Sequence, residues 1–286
     1  MLARHPLEAT VRGLTMTPAV VVKLGGGLIT DKASLTTLRA PLLSRLTKEI
    51  SAAVDAGIHV LVVHGAGSFG HLRAKAWALA EGRSDVEGND GCADQDEAVE
   101  MVRADMLALS NHVVSALHDH GVTSSTHPPH RWASGDGPHF SGDIGPLQPN
   151  TTVPVTWGDV VPVPGPASFG ILSGDDLVHR CAVELPNITR VVFAMGGADG
   201  VLRRPPHEAT EEDLITEWRE GTAFEGHHAT EMDVTGGIGL KVERARSIAQ
   251  HGIETIFVNG EVEGRLRAAL LGQPVRGTRF PPAQKG

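Results

Sequence analysis

No run of roughly 18 apolar residues occurs anywhere in the chain, so no membrane-spanning helix is expected. Cysteine is almost missing. Cys92 and Cys181 stand far apart, which fits a reduced, cytoplasmic compartment better than a disulfide framework. The opening segment, Met1 to Thr17, lacks the charged-then-apolar pattern of a secretion signal. Residues 1–17 are expected to be a loose extension ahead of a single domain spanning 18–286. Positive charge is in deficit: 25 Lys and Arg stand against 34 Asp and Glu, a formal charge of −9. Nucleic acid is set aside as a bulk partner, because a phosphate backbone demands a broad basic face. An anionic ligand would need positive charge gathered locally. Lysine is scarcest of all, limited to Lys23, Lys32, Lys48, Lys75, Lys241 and Lys285. Lys23, Lys32 and Lys241 lie in or just beyond glycine-rich segments. A chain that replaces surface lysine by arginine keeps lysine where a compact ammonium cannot be exchanged for a planar guanidinium.

What the chain does contain is an alternation of strand-like and helical stretches. Ala19 to Leu24 is a β-rich run closed by Gly25-Gly26-Gly27, and a helix is expected from about Thr36 to Ala56, stopped by Gly57. Ile58 to Val63 is the next strand, followed by a glycine turn and a short helix near Phe69 to Ala80. Residues 83–91 read as a loop. From Asp94 to His120 the residues Val99, Val102, Met106, Leu109, Val113 and Leu117 fall on one side of a long helix. Residues 126–150, crowded with Pro, Gly and His, read as an irregular excursion, and Val153 to Val163 as a strand pair around Gly158-Asp159. A helix over 175–184, a strand over 190–195, a helix over 240–251, a strand over 254–258 and a final helix near 262–271 complete the pattern. The fold class is therefore α/β: an open αβα sandwich around a mostly parallel sheet, whose ligands bind beyond the carboxyl ends of the strands.

Both glycine turns of the first half fall at such ends. Lys23-Leu24-Gly25-Gly26-Gly27-Leu28-Ile29-Thr30-Asp31-Lys32 leaves the first strand, and consecutive glycines there are expected to form an amide nest for an anion, with Lys23 and Lys32 adding point charges. His64-Gly65-Ala66-Gly67-Ser68-Phe69-Gly70-His71 leaves the second. It contains a G-x-G-x-x-G match, but after the second strand and with only loop about 20 residues on, which argues against a dinucleotide-binding dehydrogenase. A third turn, Asp233 to Lys241, opens a helix whose first amides and Lys241 are suited to an anion. The Walker A pattern, G-x-x-x-x-G-K-[ST], is absent.

These segments, together with Gly158-Asp159-Val160-Val161 and Ser173-Gly174-Asp175-Asp176, resemble in their order the amino acid kinase superfamily, and within it the isopentenyl phosphate kinases most closely. The histidine closing the second turn is the sharper sign, since many members acting on carboxylates lack it. The resemblance implies an amino acid kinase-like fold of about eight strands, with the acceptor over residues 18–150 and the nucleotide over 151–286. It implies catalytic roles for Lys23, Lys32, His71, Lys241 and Asp175, the last orienting the lysines. ATP, with Mg²⁺ carried on it, would meet Lys23, Leu24, Gly25, Gly26, Gly27, Gly67, Asp199, Gly237 and Lys241. The acceptor would meet Ala66, His71, Gly158, Asp159 and Gly174, and no metal held by the protein is implied. A homodimer is usual in the family. Three departures stand out: Gly27 where Ser is usual, Ala66 where Gly is usual, and Met195-Gly196-Gly197-Ala198-Asp199-Gly200 in place of Thr-Asp-Val-Asp-Gly.

The chemistry is coherent without the resemblance. A phosphate monoester has a second pKa of about 6, so an attacking phosphate oxygen needs no general base. Two anions must be brought together, which is positioning plus charge neutralisation. Transfer from ATP to isopentenyl phosphate is the leading reading. A kinase for a phosphonate of the fosfomycin type, or for another small phosphorylated metabolite, is its sibling, and a non-catalytic nucleotide sensor or storage protein is the reading from another class. Trp77, Met101, Met106 and Leu109 offer walls for an apolar tail, although helix core explains them more simply. His118, His120, His127, His130 and His139 follow no metal-ligand spacing. His227-His228 reads as a solvated loop pair.

Overall fold

The computed structural model describes residues 10–11, 14–15, 17–31, 34–88, 90–224 and 237–283. A small hairpin of β1 (Thr10–Val11) and β2 (Leu14–Thr15) comes first. The uninterrupted apolar run then forms β3 (Ala19–Leu24), buried at every residue, as a central parallel strand must be. One helical turn, α1 (Gly26–Ile29), and the helix α2 (Ala40–Asp55) lead to β4 (His59–His64). The short α3 (His71–Ala76), the long α4 (Gln95–Asp119) and the edge strand β5 (Ser124–Thr126) follow. Next come β6 (Val153–Trp157), β7 (Asp159–Pro162), β8 (Phe169–Leu172), α5 (Gly174–Glu184) and β9 (Ile188–Met195). The chain ends through α6 (Gly237–Gln250), β10 (Glu254–Asn259), α7 (Arg265–Leu270) and β11 (Thr278–Phe280).

The sheet order is β11-β10-β9-β3-β4-β6-β5. Every neighbouring pair is parallel except β10 with β11. Alternation along β3 assigns its two faces. Val20, Val22 and Leu24 pack with α2, α4 and α7, whereas Ala19 and Val21 pack with α5 and α6. Lys23 shares the parity of Val21, so its side chain leaves the strand toward α5. The stripe read on α4 is buried throughout, from Val99 to Leu117, and the Asp94 side chain caps the helix by accepting from the Glu97 amide at 2.9 Å. Each such apolar side chain taken from water contributes about 1.5–3 kcal/mol.

Several elements differ from expectation. The open, mostly parallel sandwich is present, with seven strands in the central sheet. The expected helix from Thr36 begins at Ala40, because Thr36 takes a left-handed φ of 47° and Thr37 is tied instead to Ser68 through a 3.2 Å bond from its amide. The segment 153–163 is not a hairpin. β6 joins the central sheet beside β4, while β7 pairs antiparallel with β8, a strand the sequence reading passed over. The short strands β5 and β11 were missed as well, being three residues each.

Candidate active site

The loops at the carboxyl ends of β3, β4, β6 and β9 enclose a cavity of about 390 Å³. Its floor is glycine backbone. A Cβ on Gly26 would lie 2.2 Å from the Gly67 nitrogen, and one on Gly67, whose φ is +52°, would lie 2.1 Å from Thr30 Oγ1. Thr30 Oγ1 clips the two loops together, donating to the Gly26 carbonyl at 2.9 Å and accepting from the Ser68 amide at 2.9 Å. The expected amide nest is only partly formed: the Gly25 amide donates to the Ala194 carbonyl at 2.9 Å and is lost to a ligand. Gly26 and Gly27 open a helical turn, whose first amides have no partner within it.

Charge is concentrated at the centre. Lys23 Nζ pairs with Asp175 Oδ1, and Lys241 Nζ lies 3.4 Å from Oδ2 of the same carboxylate. Ser173 caps α5 by accepting from the Asp175 amide at 3.0 Å, which fixes Asp175 in the first turn, beneath the lysines. Burial of the Asp175 carboxyl opposes its ionisation, but the charges of Lys23 and then Lys241 prevail and hold it below the usual carboxylate range. Two ammonium groups thus converge on one buried carboxylate. Lys241 also donates to the Gly237 carbonyl at 3.1 Å, across one turn of α6. His64, at the end of β4, adds no charge. Burial pushes its imidazole down to about 4, and it stacks on Trp157 with 5.5 Å between centroids.

Of the residues picked from the sequence, Lys23, Gly25, Gly26, Gly27, Ala66, Gly67, His71, Gly158, Asp159, Gly174 and Lys241 line this one cavity. Leu24 lies fully buried in β3, and Asp175 and Gly237 reach the cavity through the lysines. Asp159 is occupied: its Oδ2 accepts from the His130 amide at 3.2 Å and lies 2.7 Å from His130 Nδ1, and its Oδ1 accepts from the Val160 amide at 2.9 Å. Asp199 does not line the cavity. It is held by Arg265, by Arg276 at 2.5 Å and by Asn259 at 3.2 Å, a carboxylate consumed by structure. Lys32, Asp233 to Gly236 and His227-His228 lie outside the described residues.

One end of the cavity is apolar, walled by Ala74, Val102, Met106, Val160 and Ile171. Of the four tail-wall candidates only Met106 lines it; Trp77 and Leu109 are core and Met101 is exposed. Val102 stands four residues before Met106 on the same helix face, a signal available in the α4 stripe. Val160 stands in the Gly158-Asp159-Val160-Val161 segment read from the sequence, whereas Ile171 was illegible, because β8 was. The histidines of 118–139 disperse. His120 bonds to Ser44 and His130 to Asp159, and among the described residues no three His, Cys, Asp or Glu side chains gather to hold a metal. Cys92 and Cys181 are both free. No helix among the described residues is long and apolar enough to cross a membrane.

A lysine pair sharing a buried aspartate, beside facing glycine loops at the carboxyl ends of parallel strands, suits phosphoryl transfer, whose catalysis is positioning plus charge neutralisation. Residues 18–259 match the model of the Amino acid kinase family. The chain belongs to that family and is a phosphotransferase. It is 30% identical over 270 residues to the isopentenyl phosphate kinase of Methanothermobacter thermautotrophicus, covering 91% of this chain and 98% of that protein. It is 29% identical to the isopentenyl phosphate kinase of Thermoplasma acidophilum, over 90% of this chain and 100% of that one. A solved isopentenyl phosphate kinase superposes with a TM-score of 0.76 at 28% identity, covering 92% of this chain and 99% of that one. The product complex of the T. acidophilum isopentenyl phosphate kinase gives 0.72 at 26% identity, over 92% of this chain and 99% of that chain.

Proposed function

We propose that the chain transfers the γ-phosphoryl group of ATP, carried with Mg²⁺, to isopentenyl phosphate, giving isopentenyl diphosphate and ADP. The observation that carries this reading is a single cavity in which the Lys23–Asp175–Lys241 centre adjoins His71 and then an apolar end. A small phosphate bearing a short branched hydrocarbon has those two chemistries in that order. The relatives named isopentenyl phosphate kinase support the choice of acceptor.

In this reading an ionised oxygen of the acceptor phosphate attacks the γ-phosphorus. The bond from that phosphorus to the β,γ-bridging oxygen breaks, and ADP leaves with the electron pair. Lys23 and Lys241 neutralise the charge on the moving group, Asp175 holds both ammonium groups at the centre, and His71 hydrogen-bonds the acceptor phosphate. Lys32 adds further positive charge. The amides of Gly26 and Gly27 serve the nucleotide phosphates, with Gly67 giving them clearance. The acceptor lies mainly over residues 18–150, with Val160 and Ile171 completing its apolar end, and the nucleotide lies over 151–286. A homodimer and a cytoplasmic setting belong to the same proposal.

The test is ADP release with isopentenyl phosphate, run beside a panel of phosphonates including fosfomycin. Turnover of isopentenyl phosphate well above the panel is expected. Absence of turnover on it, with activity on a phosphonate, would move the assignment to the sibling enzyme, and nucleotide binding without any turnover would favour a sensor.

A further inference from the structure

We propose that Glu261 recognises the ribose of the nucleotide, its carboxylate accepting hydrogen bonds from the 2′- and 3′-hydroxyls. This rests on the kinase reading above and assigns the end of the cavity that the reading leaves without a ligand group.

Three chemistries succeed one another along the cavity, and the sheet order separates them. The apolar walls Ala74, Val102 and Met106 come from α3 and α4, on the β4 side of β3. Lys23 and Lys241 hold the middle. On the other side of β3, past the ends of β9 and β10, the lining is Met195, Gly196, Gly197 and Glu261. The phosphates are claimed by the lysines and the hydrocarbon by the apolar end, so the nucleoside remains for the glycine-and-glutamate end.

Glu261 is fixed for recognition. The Gly197 amide donates to its Oε2 at 3.0 Å, and Arg39 Nη1 donates to its Oε1 at 2.7 Å. Its main chain is clamped from α2, where Arg45 Nη2 donates to the Gly260 carbonyl at 2.7 Å and to the Glu261 carbonyl at 3.0 Å. The Arg39 bond, then that of Gly197, keeps the carboxyl below its usual range. It is therefore ionised at neutral pH, with acceptor capacity left on each oxygen; the side chain is 34% exposed. A fixed carboxylate repels a triphosphate. The part of a nucleotide it meets favourably is a donor, and vicinal hydroxyls present two donors to two oxygens. Gly196 makes room for it: a Cβ there would stand 3.3 Å from Glu261 Oε1 and 3.6 Å from Leu28 Cα. A side chain at 196 and the present carboxylate position compete for the same space.

The test is calorimetric binding of ADP and of 2′,3′-dideoxy-ADP to the full chain and to Glu261→Ala, Glu261→Gln and Gly196→Val. Wild type is expected to prefer ADP by about tenfold, the scale of a hydrogen bond to a charged group. Glu261→Ala should weaken ADP alone and so erase the preference, Glu261→Gln should keep part of it, and Gly196→Val, which displaces the carboxylate, should repeat the loss. Equal binding of the two nucleotides by wild type, or equal weakening of both in Glu261→Ala, would overturn the role of Glu261 and leave the kinase reading standing. Failure of wild type to bind either nucleotide would overturn both.

Discussion

Gly26 and Gly67 touch backbone to backbone: a methyl group on the first would stand 2.2 Å from the amide nitrogen of the second. No rotamer relieves such a contact, because a Cβ is fixed by its own backbone and the atom it meets is main chain. Gly26→Ala is expected to force the two loops apart and destabilise the fold by about 3 kcal/mol, the upper range of overpacking in a filled interior, with nucleotide affinity falling in parallel. Urea melts beside nucleotide titrations check this, and a variant as stable as wild type would contradict it.

Asp175→Asn preserves the shape beneath Lys23 and Lys241 and removes the charge they share. Each ammonium then loses the charge that positions it, and a misplacement of about 1 Å costs on the order of 100-fold in turnover. Nucleotide affinity should hold or tighten, since net positive charge rises. Steady-state kinetics with calorimetry separate the two effects. Turnover within a factor of two of wild type would remove Asp175 from its assigned role.

His71→Ala should depress turnover strongly and leave nucleotide affinity little changed, because His71 lines the cavity and is proposed to bond the acceptor phosphate rather than the nucleotide. The discriminating measurement is KM for each substrate alongside kcat. A loss confined to the nucleotide KM would reassign the residue.

His64 gives a pH dependence with a definite sign. Burial lowers its imidazole from 6.5 to about 4, so between those values the unfolded chain binds a proton that the folded chain refuses. Stability from this group is complete above 6.5 and is lost as pH falls toward 4. The full loss is about 3 kcal/mol at roughly 1.4 kcal/mol per unit. His64→Phe, which keeps an aromatic ring against Trp157, should flatten the difference in unfolding free energy between pH 7 and pH 4.5. An unchanged slope would contradict this account.

Met106→Trp should fill the apolar end of the cavity, raising KM for isopentenyl phosphate about tenfold or more while affecting a compact phosphonate less. The ratio of the two KM values is the readout, and a parallel change in both would show that Met106 does not meet the hydrocarbon.

How much of this was readable in the sequence follows from which interactions are local. The β3 run, the α4 stripe and the two glycine turns carry their signals within a few residues, and so Lys23, Gly26, Gly67 and His71 were found. The pairing of β7 with β8 was not, since register between short strands is set by tertiary contact. With β8 went Ile171. The resemblance implied Asp199 as a nucleotide contact, yet its carboxylate is held by Arg265 and Arg276, partners distant in sequence. Glu261 carried no local signal, because its place depends on Arg39 and Arg45 at the start of α2 and on Gly197 after β9, all distant from it in sequence.

In the strand order, β3 alone separates the neighbours β4 and β9. Adjacent strands sit about 4.8 Å apart, so the backbone hydrogen-bond ladder acts as a ruler beneath the proposed reaction. Phosphorus would have to cross little more than the width of one strand. The reach from giver to taker then follows main-chain geometry, and divergence within such a scaffold is free to alter either end of the groove while its midpoint stays calibrated.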